Sequence, residues 1–405
     1  MPALAAFILI LHLLLPAQQS APVIIDLGVE PQFGEQIVFR VQVQPIEDVR
    51  ELLVYITPEG QPTVWQSIDL TGADEDGQIV QQVDVRQLAL YPFSRVSYRY
   101  EAVMQDGSKV EGAQGSFQYD DDRFNWQSLE SGIFEINWYG DPILGQMIAN
   151  IAIDGLQSAQ NILKVTPPAP VRLYAYTASR DLQTAMQMTD QPWVAGHASP
   201  EVGLVLISVS EGPEKRLELE RQIPHEIMHI LQYQVMGGGF TNQPVWLVEG
   251  MASLAEAYPN PEYRSVLESA SEAGTLVPFR SLCAAFPRDA GGAFQAYAQS
   301  ESFVRFLYTR YGATGLRELI DQYQNGLGCT EGFSTALNIP LEQAEYRWKQ
   351  ETLGVNVGRL VFSNLLPYLL LGLLIIVPAG AAIVAAVTPK RRADLKAAEP
   401  LPEEL

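Results

Sequence analysis

The sequence predicts a multidomain chain: an N-terminal all-β sandwich, an α+β domain after it, and one transmembrane helix near the C-terminus. Three observations lead there. Residues 21 to about 120 alternate apolar and polar side chains, the pattern of strands with one buried face. Helical patterns then dominate from Glu214 to Gln350, and strands followed by a run of helices make an α+β layout. Residues 365–388 carry no charge at all. A chain of 405 residues is long enough for more than one core.

The first segment, MPALAAFILILHLLLPAQQS, holds an apolar run from Ala3 to Leu15 followed by Pro16 and Ala17. It is short for a membrane span and resembles a secretory signal peptide over 1–20, although no Lys or Arg precedes the run. An uncleaved anchor is the alternative reading.

Strands follow over 21–120. IVFRVQVQ sets Ile37, Phe39, Val41 and Val43 against Val38, Arg40, Gln42 and Gln44, and RVSYRYEAVM repeats the alternation from Val96 to Met104. Turn signals at PEG (58–60), EDG (75–77) and QDG (105–107) punctuate about seven such runs. Seven short strands in this length resemble a small sandwich of the immunoglobulin or fibronectin type III kind. No chemistry follows from that likeness.

The texture changes after YDDDRF (119–124), opening the α+β domain expected over 121–354. SGIFEINWYG reads as a strand pair, and PILGQMIANIAIDGLQSAQNIL puts Met147, Ile151 and Ile153 or Leu156 near helical spacing. PVRLYAYT and EVGLVLISV are further strands, and the helices beyond them are interrupted at GGG (237–239) and YPNPEY. Cys283 and Cys329 are the only cysteines. Paired, they close a loop worth about 4 kcal/mol in the chain-entropy model; two free buried thiols are the alternative. With no other Cys or His nearby in sequence, a bridge fits better than a metal role.

LLPYLLLGLLIIVPAGAAIVAAVT, residues 365–388, makes a helix of about 36 Å, enough for a hydrocarbon core of roughly 30 Å. PKRR follows at once. The positive-inside rule then makes 389–405 a cytoplasmic tail and leaves the bulk outside a single-pass cell membrane protein. A long buried globular helix is the other reading. The balance of 47 acidic against 26 basic residues, net −21, excludes a nucleic-acid partner and electrostatic docking on anionic lipid.

Chemistry concentrates in RQIPHEIMHILQYQ (221–234), which holds two of only four histidines. His225 and His229 lie about 40° apart on a helix, while Ile227, Ile230, Leu231 and Val235 fall between about 140° and 280°. The helix has an apolar back and a histidine front, and Pro224 suits its first position. Two imidazoles one turn apart occupy two corners of a tetrahedral zinc site; a five-residue pattern with two free positions also arises by chance. Glu249, twenty residues beyond His229 in QPVWLVEGMASLAEAYPNP, sits on a second helix between Pro244 and Pro259, within reach if the two helices run antiparallel.

His-Glu-x-x-His followed by Trp-Leu-x-Glu-Gly-x-Ala resembles the gluzincin metallopeptidases, closest to the peptidase MA-like group and also similar to aminopeptidase N-type enzymes. The resemblance covers roughly 125–350. It implies His225, His229 and Glu249 as zinc ligands, Glu226 as general base, and Glu256 as a carboxylate orienting a ligand imidazole. In YAQSESFVRFLYTRYG the resemblance implies Tyr297, just ahead of a helix, as the phenol stabilising the tetrahedral intermediate; an exposed carboxylate at Glu256 and a structural Tyr297 are the competing readings. Val248 stands where the aminopeptidases favour Asn, and no Gly-x-Met-Glu-Asn segment precedes His225. That favours an endopeptidase, with the strand at 202–212 lining the cleft and pairing with extended peptide. His197, in a Gly/Ser/Pro loop, is expected to cap that loop.

The expectation is a membrane-anchored, extracytoplasmic zinc peptidase acting on peptide or protein substrates. The alternatives are a non-catalytic surface binding protein on a peptidase-like scaffold, and an aminopeptidase.

Overall fold

The computed structural model describes residues 22–387 except 89, 168–169, 187–195, 210 and 355–356, with side chains of the last helix described over 365–380. The expected signal peptide (1–20) and cytoplasmic tail (389–405) lie outside the described residues. The chain divides into two compact units between Glu342 and Gln343.

The first unit opens with β1 (Val23–Gln32), β2 (Gln36–Gln44), β3 (Val49–Pro58), β4 (Val64–Ile68), β5 (Gln78–Asp84), β6 (Ser94–Met104) and β7 (Lys109–Tyr119). They form two antiparallel sheets, β1-β2-β5 and β4-β3-β6-β7. The period-two alternation decides how the sheets face. Ile37, Phe39, Val41 and Val43 of β2 and Val96, Tyr98, Tyr100 and Ala102 of β6 are buried in one shared core. Tyr98 donates its hydroxyl to Asp26 on β1, which satisfies a phenol that burial would otherwise leave unpaired.

Next come β8 (Gln127–Ser131), β9 (Phe134–Trp138), α1 (Ile143–Ile162), β10 (Val171–Tyr176), α2 (Ser179–Ala185), β11 (Gly196–Ser199) and β12 (Leu204–Ser208). Their sheet has the order β11-β12-β10-β9-β8. β9, β10 and β12 run parallel in its middle, and both edge strands are antiparallel. The strand expected to line the cleft, 202–212, is therefore not the edge. Every residue of β12 is buried, as its unalternating LVLIS predicts for a strand covered on both faces, and β11 takes the edge position.

The helices are α3 (Lys215–Met236), α4 (Val245–Ala255), α5 (Tyr263–Ala273), α6 (Ala290–Gln324), α7 (Cys329–Leu337), α8 (Leu341–Glu351) and α9 (Val357–Val387). α3 does not begin at Pro224 as expected; it starts nine residues earlier and carries the proline inside. A mid-helix proline costs roughly 3 kcal/mol because it lacks the N–H that would bond the carbonyl four residues back. That carbonyl, Glu220 O, accepts from Ala257 N–H at 3.1 Å instead. α4 packs on α6 at Gly250, where a Cβ would lie 2.5 Å from Ser300 O and from Val304 Cγ2. Cys283 and Cys329 form a disulfide, and Cys283 O accepts from Val245 N–H at the start of α4.

In the second unit α9 carries Pro367 and Pro378. Its apolar side chains are open, Leu369 at 51%, Leu374 at 73% and Ile376 at 70% exposure. Among the described residues no helix is long and apolar enough to cross a membrane; the stretch expected to do so, 365–388, falls on α9, where described side chains end at residue 380.

Candidate metal and catalytic site

The histidine face of α3 meets α4 at its second turn. The rings of His225 and His229 stand 5.1 Å apart, tilted by 79°, while Ile223, Ile227, Ile230 and Leu231 are buried. Glu249 Oε2 lies 3.4 Å from His225 Nε2 and 3.8 Å from His229 Nε2. One donor atom from each of the three residues falls within 4.8 Å of the others. A tetrahedral ion with bonds of about 2.0–2.2 Å needs donors roughly 3.3–3.6 Å apart. The three side chains fit one divalent ion after small adjustments.

Each imidazole is held from behind. His225 Nδ1 lies 3.0 Å from Glu256 Oε1, and a carboxylate only accepts, so Nδ1 carries a proton and Nε2, on the Glu249 side, is the nitrogen that would coordinate once it gives up its own. Glu256, just beyond the last turn of α4, also faces Arg221 Nε at 3.5 Å. His229 Nδ1 lies 3.1 Å from Gln232 Oε1, and Gln232 Nε2 donates to Val248 O at 3.1 Å. Gln232 was not among the residues expected from sequence. Its only local signal is an amide three residues past the second histidine, on a helix side that is otherwise buried and apolar.

Burial raises the Glu226 carboxyl to about 7; His225 opposes the shift, and Glu249 and Glu256 add to it. Burial works against the charged form of His225, yet hydrogen bonding to Glu249 and Glu256 holds its pKa well above the usual imidazole value. Partial burial would raise Glu249, but its contacts with the two imidazoles keep it below the ordinary carboxylate range. Three carboxylates crowd two imidazoles, and the negative charge they leave is what a bound cation offsets.

Glu226 lies against the edge strand. A Cβ on Gly196 would sit 2.5 Å from its Oε1, and Ala198 N–H donates to it. His197, between them, is on β11 opposite Leu206 rather than in a capping loop. Burial first, then His229, lowers its pKa to about 4 against the pull of Glu249. Tyr297 stands two turns inside α6, not ahead of it. It donates its hydroxyl to Glu249, whose charge, followed by burial, raises the phenol well above its usual value. The Phe286 ring meets it edge-on at 5.0 Å.

The structure thus brings together His225, Glu226, His229, Glu249, Glu256 and Tyr297, and adds Gln232, Gly196 and His197. Gly196 escaped because its partner Glu226 is distant in sequence, His197 was expected only to cap a loop, and Gln232 carries no more than its spacing from His229.

The family model described as Peptidase MA superfamily matches residues 151–354, half of the chain. No curated protein matches it. Among solved structures the chain is similar to a Br derivative of BhCBM56, with 10% identity over 22% of this chain and 87% of that one, TM-score 0.17. It is similar to a polysaccharide deacetylase from Bacillus cereus, with 8% identity over 47% of this chain and 60% of that one, TM-score 0.22. A purple acid phosphatase from yellow lupin (Lupinus luteus) seeds shares 12% identity over 50% of this chain and 39% of its own, TM-score 0.19. At these TM-scores none of the three bears on fold or chemistry.

Proposed function

This chain belongs to the Peptidase MA superfamily, and we propose that it is a membrane-anchored, extracytoplasmic zinc endopeptidase of the gluzincin type, akin to aminopeptidase N-type enzymes. The observation that carries this reading is the convergence of His225, His229 and Glu249 within 4.8 Å, with Glu226 beside them. A zinc ion held by those three residues supplies Lewis acidity toward a water and a peptide carbonyl.

The chain's own residues do the rest. Glu226, with a carboxyl near neutrality, takes the proton of the attacking water and passes it to the leaving amine. Tyr297, already a donor to Glu249, turns its hydroxyl to the developing oxyanion. Glu256 keeps His225 in the tautomer with Nε2 free. Among the described residues β11 is the end strand of its sheet, and an extended peptide laid along that edge is read by main-chain hydrogen bonds. Recognition of this kind needs no free amine, which supports internal cleavage.

Anchoring is supported by the uncharged stretch 365–388 and the basic PKRR after it. The open leucines and isoleucines of α9 are costly in water and at home in lipid; Pro367 and Pro378 are tolerated in such helices. The two-sheet arrangement of β1 to β7 supports an immunoglobulin- or fibronectin-like module serving as spacer or substrate dock.

The test is hydrolysis of amine-blocked and free-amine peptides by the full chain, with zinc and with chelator. Blocked peptides are cut only with zinc. Glu226→Gln keeps the zinc and loses turnover by about 10²-fold or more. Full turnover in that variant removes Glu226 from the mechanism, and a parent chain that takes no zinc leaves a non-catalytic scaffold.

A further inference from the structure

Two polar contacts fasten the backbone of α4 and of the residues just after it to α3, and they bracket the segment that carries Glu249 and Glu256. At one end Gln232 Nε2 donates to Val248 O at 3.1 Å. At the other, Ala257 N–H donates to Glu220 O at 3.1 Å. Each contact depends on a residue that an ordinary amphipathic helix avoids. Gln232 is completely buried, where a leucine would fill the same volume without a polar group to satisfy. Pro224 sits inside the helix, and its missing N–H is what leaves Glu220 O free for Ala257.

We propose that Gln232 and Pro224 are positioning residues that clamp α4 on α3 in the register bringing Glu249 to both imidazoles and Glu256 to His225, and that Gln232 also fixes the tautomer of His229. The tautomer follows from hydrogen-bond direction. A carbonyl only accepts, so the nitrogen of the Gln232 amide must face Val248 O and its oxygen must face His229. With Gln232 Oε1 3.1 Å away, His229 Nδ1 carries the proton and offers the Nε2 lone pair toward Glu249. One buried amide therefore orients a ligand on its own helix and holds the neighbour of a ligand on the next. His225 receives the equivalent service from two places: Glu256 on its ring, and the carbonyl released by Pro224 one residue beyond Glu256. Any slip of α4 along α3 breaks both backbone contacts and withdraws both carboxylates together.

The inference rests on the metal-site reading and not on peptidase activity. It is tested by competing zinc ion, with no peptide present, between a chromophoric chelator and the full chain. Gln232→Met, close in shape and without hydrogen bonds, weakens zinc binding about 10- to 100-fold. Gln232→Glu keeps an acceptor for His229 but no donor for Val248 O, so it recovers the tautomer without recovering full affinity. Pro224→Ala lets α3 reclaim Glu220 O; zinc binding weakens while Tm holds or rises, a split that general destabilisation cannot produce. Nitrogen-15 spectra of the metal-free chain show His229 protonated at Nδ1 in the parent and as a tautomer mixture in Gln232→Met. The proposal is overturned if Gln232→Met binds zinc within about twofold of the parent, or if His229 in the parent is protonated at Nε2. Should the parent take no zinc, the metal reading falls, and the His229 spectra still decide the part assigned to Gln232.

Discussion

Glu226 is placed by a strand nearly thirty residues upstream, and the constraint is steric. Gly196 is the only residue type that leaves its carboxylate room, since a Cβ there would lie 2.5 Å from Oε1. Gly196→Ala must push the base aside while leaving the ligands alone. We expect zinc affinity unchanged and kcat down about 100-fold, the loss typical of a displacement near 1 Å; unchanged kcat frees Glu226 from β11. The pH dependence has a definite sign. In the ion-free chain the folded carboxyl titrates near 7 against an ordinary 4.5, so between those values the folded state holds more protons than the unfolded one. This group's contribution to stability therefore falls as pH rises across that window. Glu226→Gln has no such group, so the parent's Tm falls relative to that variant as pH rises from 4.5 to about 7. A cation beside Glu226 favours its charged form, so the acid limb of kcat/KM in the zinc-loaded chain lies below 7, and a limb at or above 7 contradicts the placement. The sequence made Glu226 and its histidines visible because a helix puts i and i+4 on one face. Gly196 was invisible, and His197 was read as a loop cap, because β11 reaches Glu226 only through the sheet.

At the scale of elements, local periodicity was reliable wherever one face is buried, as in β2 and β6, and failed where tertiary contact overrides it. Pro224 reads as a helix start because the lost hydrogen bond is the dominant local cost; Ala257 compensates from another element, which no local pattern reveals. The strand at 202–212 was expected to line the cleft and pair with extended peptide, yet β12 is buried on both faces and lies inside the sheet. The helix pair α3 and α4 was legible from Pro244, Pro259 and the spacing of Glu249, but not its contact with the disulfide-bonded segment. Cys283 O caps Val245 N–H at the first residue of α4, and Cys283 is bonded to Cys329 at the first residue of α7. Opening the bridge frees the end of α4 nearest Glu249. The Cys283→Ser, Cys329→Ser double variant is expected to lose about 2–5 kcal/mol of stability and to bind zinc more weakly than the parent at temperatures where both are folded. Equal zinc affinity would confine the bridge to a stabilising role.

For the whole molecule the deciding quantity is charge. A net −21 repels the chain from anionic lipid and gives it no electrostatic means of staying at a membrane surface. If it works there, insertion must hold it. The candidate for that role is the uncharged stretch 365–388, followed by Lys390, Arg391 and Arg392; the described side chains of α9 within it are almost all apolar and open. Adsorption and insertion respond differently to salt. An adsorbed acidic protein gains binding as salt screens its repulsion from the surface, whereas an inserted helix is indifferent, because its free energy comes from apolar area. The full chain is therefore expected to stay with membranes through both high-salt and alkaline carbonate washes, and a chain ending at residue 354 to appear in the soluble fraction. Protease added from outside should digest the sandwich and the zinc site while sparing the residues after 388. Release of the full chain by carbonate alone, or retention of the shortened chain, would show that α9 is not what holds the protein in place.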